Sequence, residues 1–360
     1  MRNYRNIIVQ TIQLIAAVLF CGMTVLQNST ISNGARSGID LCLNTIIPSL
    51  FPMLVLSSIL SALQYPDKIK RILSFPIQRV SGLSQSATPV FLFGALNGYP
   101  VGVKTSAALY TAGGIDLYSA RKAALINVNP GIVFSVFITG KMYYGSTMHG
   151  IMLYLSVTLS NLLLCLVIPG RKEHKTEFSA LTRKNFSFSD VFVNAVQASI
   201  TNIASICAWI VLFSAITAPL STLPFYKPLS VIMEVTNAVI FCASKHNLPL
   251  CAFCMGFGGI CIFLQLLPDL KLLGIKPTTY LLCRMFCGFF SFIIELLFLK
   301  TLPDAVLTAA SSHIVIRPVS VSMTGTATFI FFCIVFMISA VKSPFVKNFS
   351  NPLDYKKKLW

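Results

Sequence analysis

The stretch "FGALNGYPVGVKTSAALYTAGGI", residues 93–115, holds five glycines, a proline, an asparagine and a lysine. It is too polar to cross a bilayer unaided and too apolar for an ordinary surface loop, so the surrounding solvent decides its meaning. The chain has 360 residues, 55% hydrophobic and only 11% charged, with a mean hydropathy of +0.76. A soluble domain carries roughly 25% charged residues; this composition describes a polytopic membrane protein. The net charge of +17 sits mainly between apolar runs and at the two ends. Charge so placed sets orientation in the lipid bilayer, and no nucleic-acid partner is expected.

Working outward, Arg2 and Arg5 precede an apolar run over residues 7–27, read as a retained first span that starts in the cytoplasm. A second span is expected over 39–63, kinked by Pro48 and Pro52. Residues 64–87 carry Lys68, Lys70, Arg71 and Arg79 against Asp67 and read as cytoplasmic. Further spans are expected over 123–140, interrupted by "NVNPG", and over 147–168. The loop "RKEHKTEFSALTRKNFSFSD" has five basic and three acidic residues and again belongs in the cytoplasm. Four crossings already join two cytoplasmic segments, so residues 88–113 should enter the membrane and return on the same side. Non-helical backbone at that depth is tolerated only where protein or a water-filled cavity covers it.

The second half repeats the plan. After a long apolar helix over 191–218 comes a second glycine-rich stretch, "CMGFGGICIFLQLLPDLKLLGI", residues 254–275. A shift of 160 positions sets Phe93 on Phe253, Gly98 on Gly258, Gly114 on Gly274 and Ile115 on Ile275. Paired, glycine-interrupted hydrophobic segments in two halves point to the binding site of a secondary transporter. Broken helices aim N-terminal amides at an anionic group, and their unwound carbonyls hold a cation. Gly98, Gly102, Gly258 and Gly259 would let backbone and substrate approach closely, with Pro100 starting the returning helix. The same glycines also suit tight helix packing; Asn97, Tyr99 and Lys104 among them favour a site.

Glu234 in "VIMEVTNAVI" is an acid in apolar surroundings, which costs roughly 3 kcal/mol on insertion scales. With Thr236 and Asn237 it would hold a coupling proton or sodium ion, or a substrate amide or hydroxyl; the alternative is a wet interfacial position. Asn127 and Asn129 flank a break ended by Pro130 and Gly131 and are candidate lining residues. Lys104 either neutralises an anionic substrate or snorkels to headgroups, and Gln265 closes the second glycine-rich arm. Glu295, five residues before Lys300, reads as close to the membrane edge. Cys251 and Cys254 form a C-x-x-C inside apolar sequence without a histidine beside them, so neither metal nor cofactor is expected. No nucleophile and base pair up in the sequence, and no enzymatic activity is expected.

The segments "IPSLFPMLVLSSIL", "NGYPVGVKTSAALYTAGGI", "ALINVNPGIVF", "WIVLFSAI", "MEVTNA" and "GFGGICIFLQ" occur in an order that resembles the sporulation integral membrane proteins of the YlbJ/SpoVV type. The likeness covers about residues 38–300. It implies two nucleoside-recognition Gate domains and a distant kinship with concentrative nucleoside transporters, whose re-entrant hairpins form the substrate site. The chain departs from the pattern with "NVNPG" in place of an Asn-Asn run and "EVTNA" in place of a glycine-closed motif.

The expected fold is thus all-α and polytopic, with two structural repeats and re-entrant helical hairpins. Its expected divisions are a first helix and loop at 1–37, a Gate-like repeat at 38–170, a basic loop at 171–190, a second repeat at 191–302, and a last helix with a basic tail at 303–360. The resemblance implies transport of dipicolinic acid, a small dianion, across the outer forespore membrane of the mother cell, with other sporulation membrane proteins as partners. The alternative is a scaffold or ligand sensor of the spore envelope.

Overall fold

Small polar residues can build a membrane helix when a second helix covers their backbone, and residues 28–38 do so. In the computed structural model they open α1 (Asn28–Leu41), where a loop was expected. The 37/38 boundary therefore runs through a helix. The structure describes residues 27–62, 83, 87–168, 188–222 and 226–301, with scattered positions between 11 and 26. The expected first span, both basic loops and the C-terminal segment lie wholly or largely outside the described residues.

After α1 the chain passes through a π-helical turn (Cys42–Ile46) into α2 (Ile47–Ala62), which contains Pro52. A wide turn just before a proline is where a helix absorbs a kink. Ser49 donates its hydroxyl back to the carbonyls of Thr45 and Ile46 there. The opening stretch forms two short helices, α3 (Thr88–Asn97) and α4 (Val101–Thr111), packed along each other. Next come α5 (Leu117–Ile126), the π-type helix α6 (Val133–Tyr143) and α7 (Thr147–Val167). The second half has α8 (Phe188–Thr217), then α9 (Tyr226–Met233) and α10 (Val235–Ser244). It closes with α11 (Leu248–Phe257), α12 (Gly259–Leu272) and α13 (Pro277–Thr301).

The described residues contain helices and no strand, and five helical stretches are long and apolar enough to cross a membrane: Asn28–Leu56, Thr147–Val167, Phe188–Ser221, Leu248–Leu272 and Pro277–Thr301. This is an integral membrane protein with several spans. Its apolar side chains are distributed accordingly. On α7, Leu155, Leu159, Leu163 and Leu166 are exposed, the face a lipid would cover, while Ser156, Ser160 and Asn161 are buried. α1 lies on α8 because Gly34 and Gly38 leave no room for a side chain: a Cβ on Gly34 would sit 2.5 Å from the Ala218 side chain, and one on Gly38 2.9 Å from Val211 Cα.

Three helix pairs begin 160 residues apart: α1 with α8, α3 with α11, and α5 with α13. α4 and α12 also end alike. Gly113 and Gly274 take φ of +72° and +63°, and their N–H groups donate to Tyr110 and Lys271 at 3.0 and 2.9 Å. The following N–H groups of Gly114 and Ile275 each reach five residues back, to Leu109 and Leu270, at 2.8 Å. This glycine closure leaves few helix-end carbonyls unpaired. The counterpart of Gly274 is therefore Gly113, one residue from the Gly114 of the sequence register. The two glycine-rich stretches differ in course: α3 and α4 pack together, whereas α11 packs on α13 and α7, and α12 on α4 and α9.

Candidate functional site

Four interruptions in the helices meet at the centre of the molecule. The first is Gly98, at φ +81°, whose added Cβ would lie 2.7 Å from the Pro130 carbonyl carbon and the Gly131 nitrogen. The second is the Asn127–Gly131 break between α5 and α6. Their backbones touch directly, so neither glycine tolerates a side chain. The third is Glu234, the N-cap of α10, whose Oε2 accepts from the Asn237 N–H at 2.8 Å. The fourth is Gly258, where a Cβ would come 3.8 Å from Tyr99 Cε1. A Cβ on Gly259 would reach the Ile232 and Met233 carbonyl oxygens at 3.3 Å, so the third and fourth interruptions also touch.

Between them lies a cavity of about 50 Å³, whose polar lining is Asn97, Tyr99, Glu234, Thr236 and Gln265, with Pro130 at the α5–α6 break. α4 starts at Pro100 and α12 at Gly258 without a side-chain cap, so two helix N-termini carry partial positive charge beside it. Glu234, by contrast, offsets the N-terminus it caps. Five residues expected from sequence thus share one lining. Asn237 instead lines a wider polar recess of about 370 Å³ together with Thr30, Asn33 and Ser37 of α1 and Ser214 and Thr217 of α8. Thr236 lines the cavity and the next residue, Asn237, the recess, both in the first turn of α10.

The remaining expected residues stand around the cavity or behind it. Gly94 and Gly102 press against Asn127, which donates its amide to the Val90 carbonyl. Asn127 fills the seam between α3 and α4. Asn129 is fully buried, accepting at Oδ1 from Asn161 at 2.9 Å. Pro100 holds the position just before α4 and gives it no side-chain cap. Lys104 lies one turn further along α4, within electrostatic reach of Asp269 on α12, and is not part of the cavity lining.

Three further positions, which the sequence reading did not single out, carry structural roles. Arg284 is fully buried in α13. Its guanidinium donates to the carbonyls of Leu125 at 2.6 Å and Val128 at 3.1 Å, and to Asn161 Oδ1 at 3.1 Å. It ends α5 by taking up carbonyls that the break releases, a favourable place for a cation. An arginine in the middle of an apolar run is itself a signal, visible in "LLCRMFCGFF". Arg121 and Lys122 of α5 donate to the carbonyls of Leu273 and Ile168 at 2.7 and 2.8 Å. They close the ends of α12 and α7.

A curated relative now bears on the site. Sporulation integral membrane protein YlbJ of Bacillus subtilis strain 168 is 21% identical over 351 aligned residues, covering 82% of this chain and 85% of that protein. The chain is similar to YlbJ over most of its length. The likeness to YlbJ spans both glycine-rich stretches' halves of the molecule rather than one motif. No protein-family model and no solved structure matches the chain.

Proposed function

We propose that this chain is a sporulation membrane protein of the YlbJ type and works as a secondary transporter of a small organic anion, with dipicolinic acid as the first candidate. The observation that carries the reading is the meeting of four helix interruptions around one cavity that sets five polar side chains in a mostly apolar lining. Interrupted helices at the interface of two repeats are where secondary transporters bind substrate and coupling ion. The helix starts spaced 160 residues apart support two repeats, and the close packing of α3 on α4 supports a re-entrant hairpin in the first. Uncapped N-termini of α4 and α12 suit an anionic group. Glu234 and Gln265 suit a hydroxyl, an amide or a cation.

At about 50 Å³, the cavity admits a few waters, whereas small-molecule pockets run to roughly 300 Å³ or more. In the transporter reading this is a closed conformation, and the polar recess beyond Asn237 is its approach from one side. The same small volume favours a second reading, a scaffold or ligand sensor of the spore envelope that keeps the fold without carrying substrate. The outer forespore membrane is the proposed location under either reading.

The test is uptake of labelled dipicolinate into vesicles containing the purified full chain, with a nucleoside as control and with imposed proton or sodium gradients. Protein-dependent dipicolinate flux is the expected result. Folded protein that moves neither compound would favour the scaffold.

A further inference from the structure

Glu295 was expected near the membrane edge; it is fully buried between α13 and α7. Ser156 Oγ donates to its Oε2 at 2.6 Å, while Oε1 has no hydrogen-bond partner among the described residues. An ionised carboxylate in such a place needs a cation. α13 packs on α7 and α11, and neither of those helices contains a lysine, arginine, aspartate or glutamate. Their titratable side chains are His149, Tyr154 and Cys165 on α7 and Cys251 and Cys254 on α11, with Tyr144 just before α7. On its own helix, Arg284 lies eleven residues away, about 16 Å along the axis, and its hydrogen bonds go to Leu125, Val128 and Asn161. Lys300, five residues on, projects from a different face.

Burying a carboxylate without a counter-ion costs far more than one hydroxyl returns, and such a group neutralises by taking up a proton. Below Glu295 the same seam is polar: Ser291 donates to Ser160 at 2.8 Å and Cys287 meets Asn161 Oδ1 at 3.2 Å, and a charge enters it only at Asn161, where Arg284 donates. Above it, His149 is two helical turns from Ser156 on α7 and half-buried against Tyr144. Glu295 therefore sits where parting of α7 and α13 would expose it to water and closure would seal it.

We propose that Glu295 is a proton-binding site, protonated in this closed conformation and ionised when α7 and α13 part at Ser156. On release the O–H bond breaks, its electron pair stays on the carboxylate, and the proton passes to water. In the transporter reading, on which this role rests, Glu295 carries the coupling proton; a fixed neutral acid that merely joins two helices is the rival.

The experiment compares full-length wild type with Glu295→Gln and Ser156→Ala in liposomes, by infrared spectroscopy over a pH series and by dipicolinate flux. Expected is a protonated-carboxyl band that titrates in wild type and is missing in Glu295→Gln. In Ser156→Ala it titrates at higher pH, because the donor to the carboxylate is gone. Dipicolinate exchange without a gradient survives in Glu295→Gln, while accumulation driven by a proton gradient falls about tenfold or more, at least 1.4 kcal/mol of coupling. Undiminished proton-driven accumulation in Glu295→Gln, or a band that does not titrate in wild type, overturns the proposal. Wild type that moves no compound refutes the transporter reading instead, and the band then decides alone whether Glu295 binds and releases a proton.

Discussion

The Tyr99 hydroxyl donates to the Met255 carbonyl oxygen at 2.6 Å, joining the first glycine-rich stretch to the end of α11 in the second. The two interruptions that the sequence register pairs, Gly98 and Gly258, are thereby held on either side of one tyrosine. Tyr99 also lines the cavity, so this bond links the geometry of both breaks to the candidate site.

Tyr99→Phe removes that bond and keeps the ring. A loss of about 1 kcal/mol is expected for one hydrogen bond, read as a small drop in thermal unfolding temperature in detergent. Flux should fall more than abundance, because the ring remains and the alignment of the two breaks loosens.

Gly98→Ala places a methyl against the Pro130 and Gly131 backbone at a positive φ. Backbone strain alone costs on the order of 1 kcal/mol or more, and the 2.7 Å approach adds to it. Gly113→Ala, with the same sign of φ but none of the described residues within 4 Å of the added methyl, should be clearly milder. Equal melting temperatures for the two variants would contradict the contact between the first two breaks.

Arg284→Met removes the guanidinium donor to the Leu125 and Val128 carbonyls and leaves Asn161 Oδ1 with the Cys287 thiol alone. Each buried group left unpaired costs about 1–3 kcal/mol, so severe loss of folded protein is expected by size-exclusion chromatography. Arg284→Lys should recover only part of it, since an ammonium lacks the guanidinium fork that reaches several acceptors at once.

Glu234→Gln keeps an oxygen to accept from the Asn237 N–H, and Glu234→Ala does not. Loss of an N-cap costs about 0.5–2 kcal/mol, so Ala should lower stability and Gln little. In the transporter reading both lose flux, and flux retained by Gln at wild-type abundance would reduce Glu234 to a cap.

Gly34→Leu wedges α1 off α8. Expected is a strong drop in folded yield, whereas Gly22→Leu, where an added Cβ meets none of the described residues within 4 Å, should leave yield unchanged.

The sequence by itself determined the solvent, the helical class and the places where helices must break. Hydropathy demands internal backbone hydrogen bonding in lipid, and glycine and proline mark where that bonding stops. Glu234, Tyr99 and Gln265 were legible because polar residues beside such breaks need a reason. Tertiary structure alone decided which polar groups face the cavity and which serve as structural partners. Asn127 and Asn129 look like lining residues in one dimension, yet one is clamped by Gly94 and Gly102 and the other is bound by Asn161, 32 residues on. The polar run 28–38 looks like a loop until α8 supplies the surface that makes it a helix. Arg284 and Glu295 share one apolar helix, but only packing gives the first its carbonyl partners at the end of α5 and its amide partner on α7, and sets the second against α7 with no cation beside it among the described residues. Pairing between distant side chains depends on packing geometry, and a linear sequence carries no record of it.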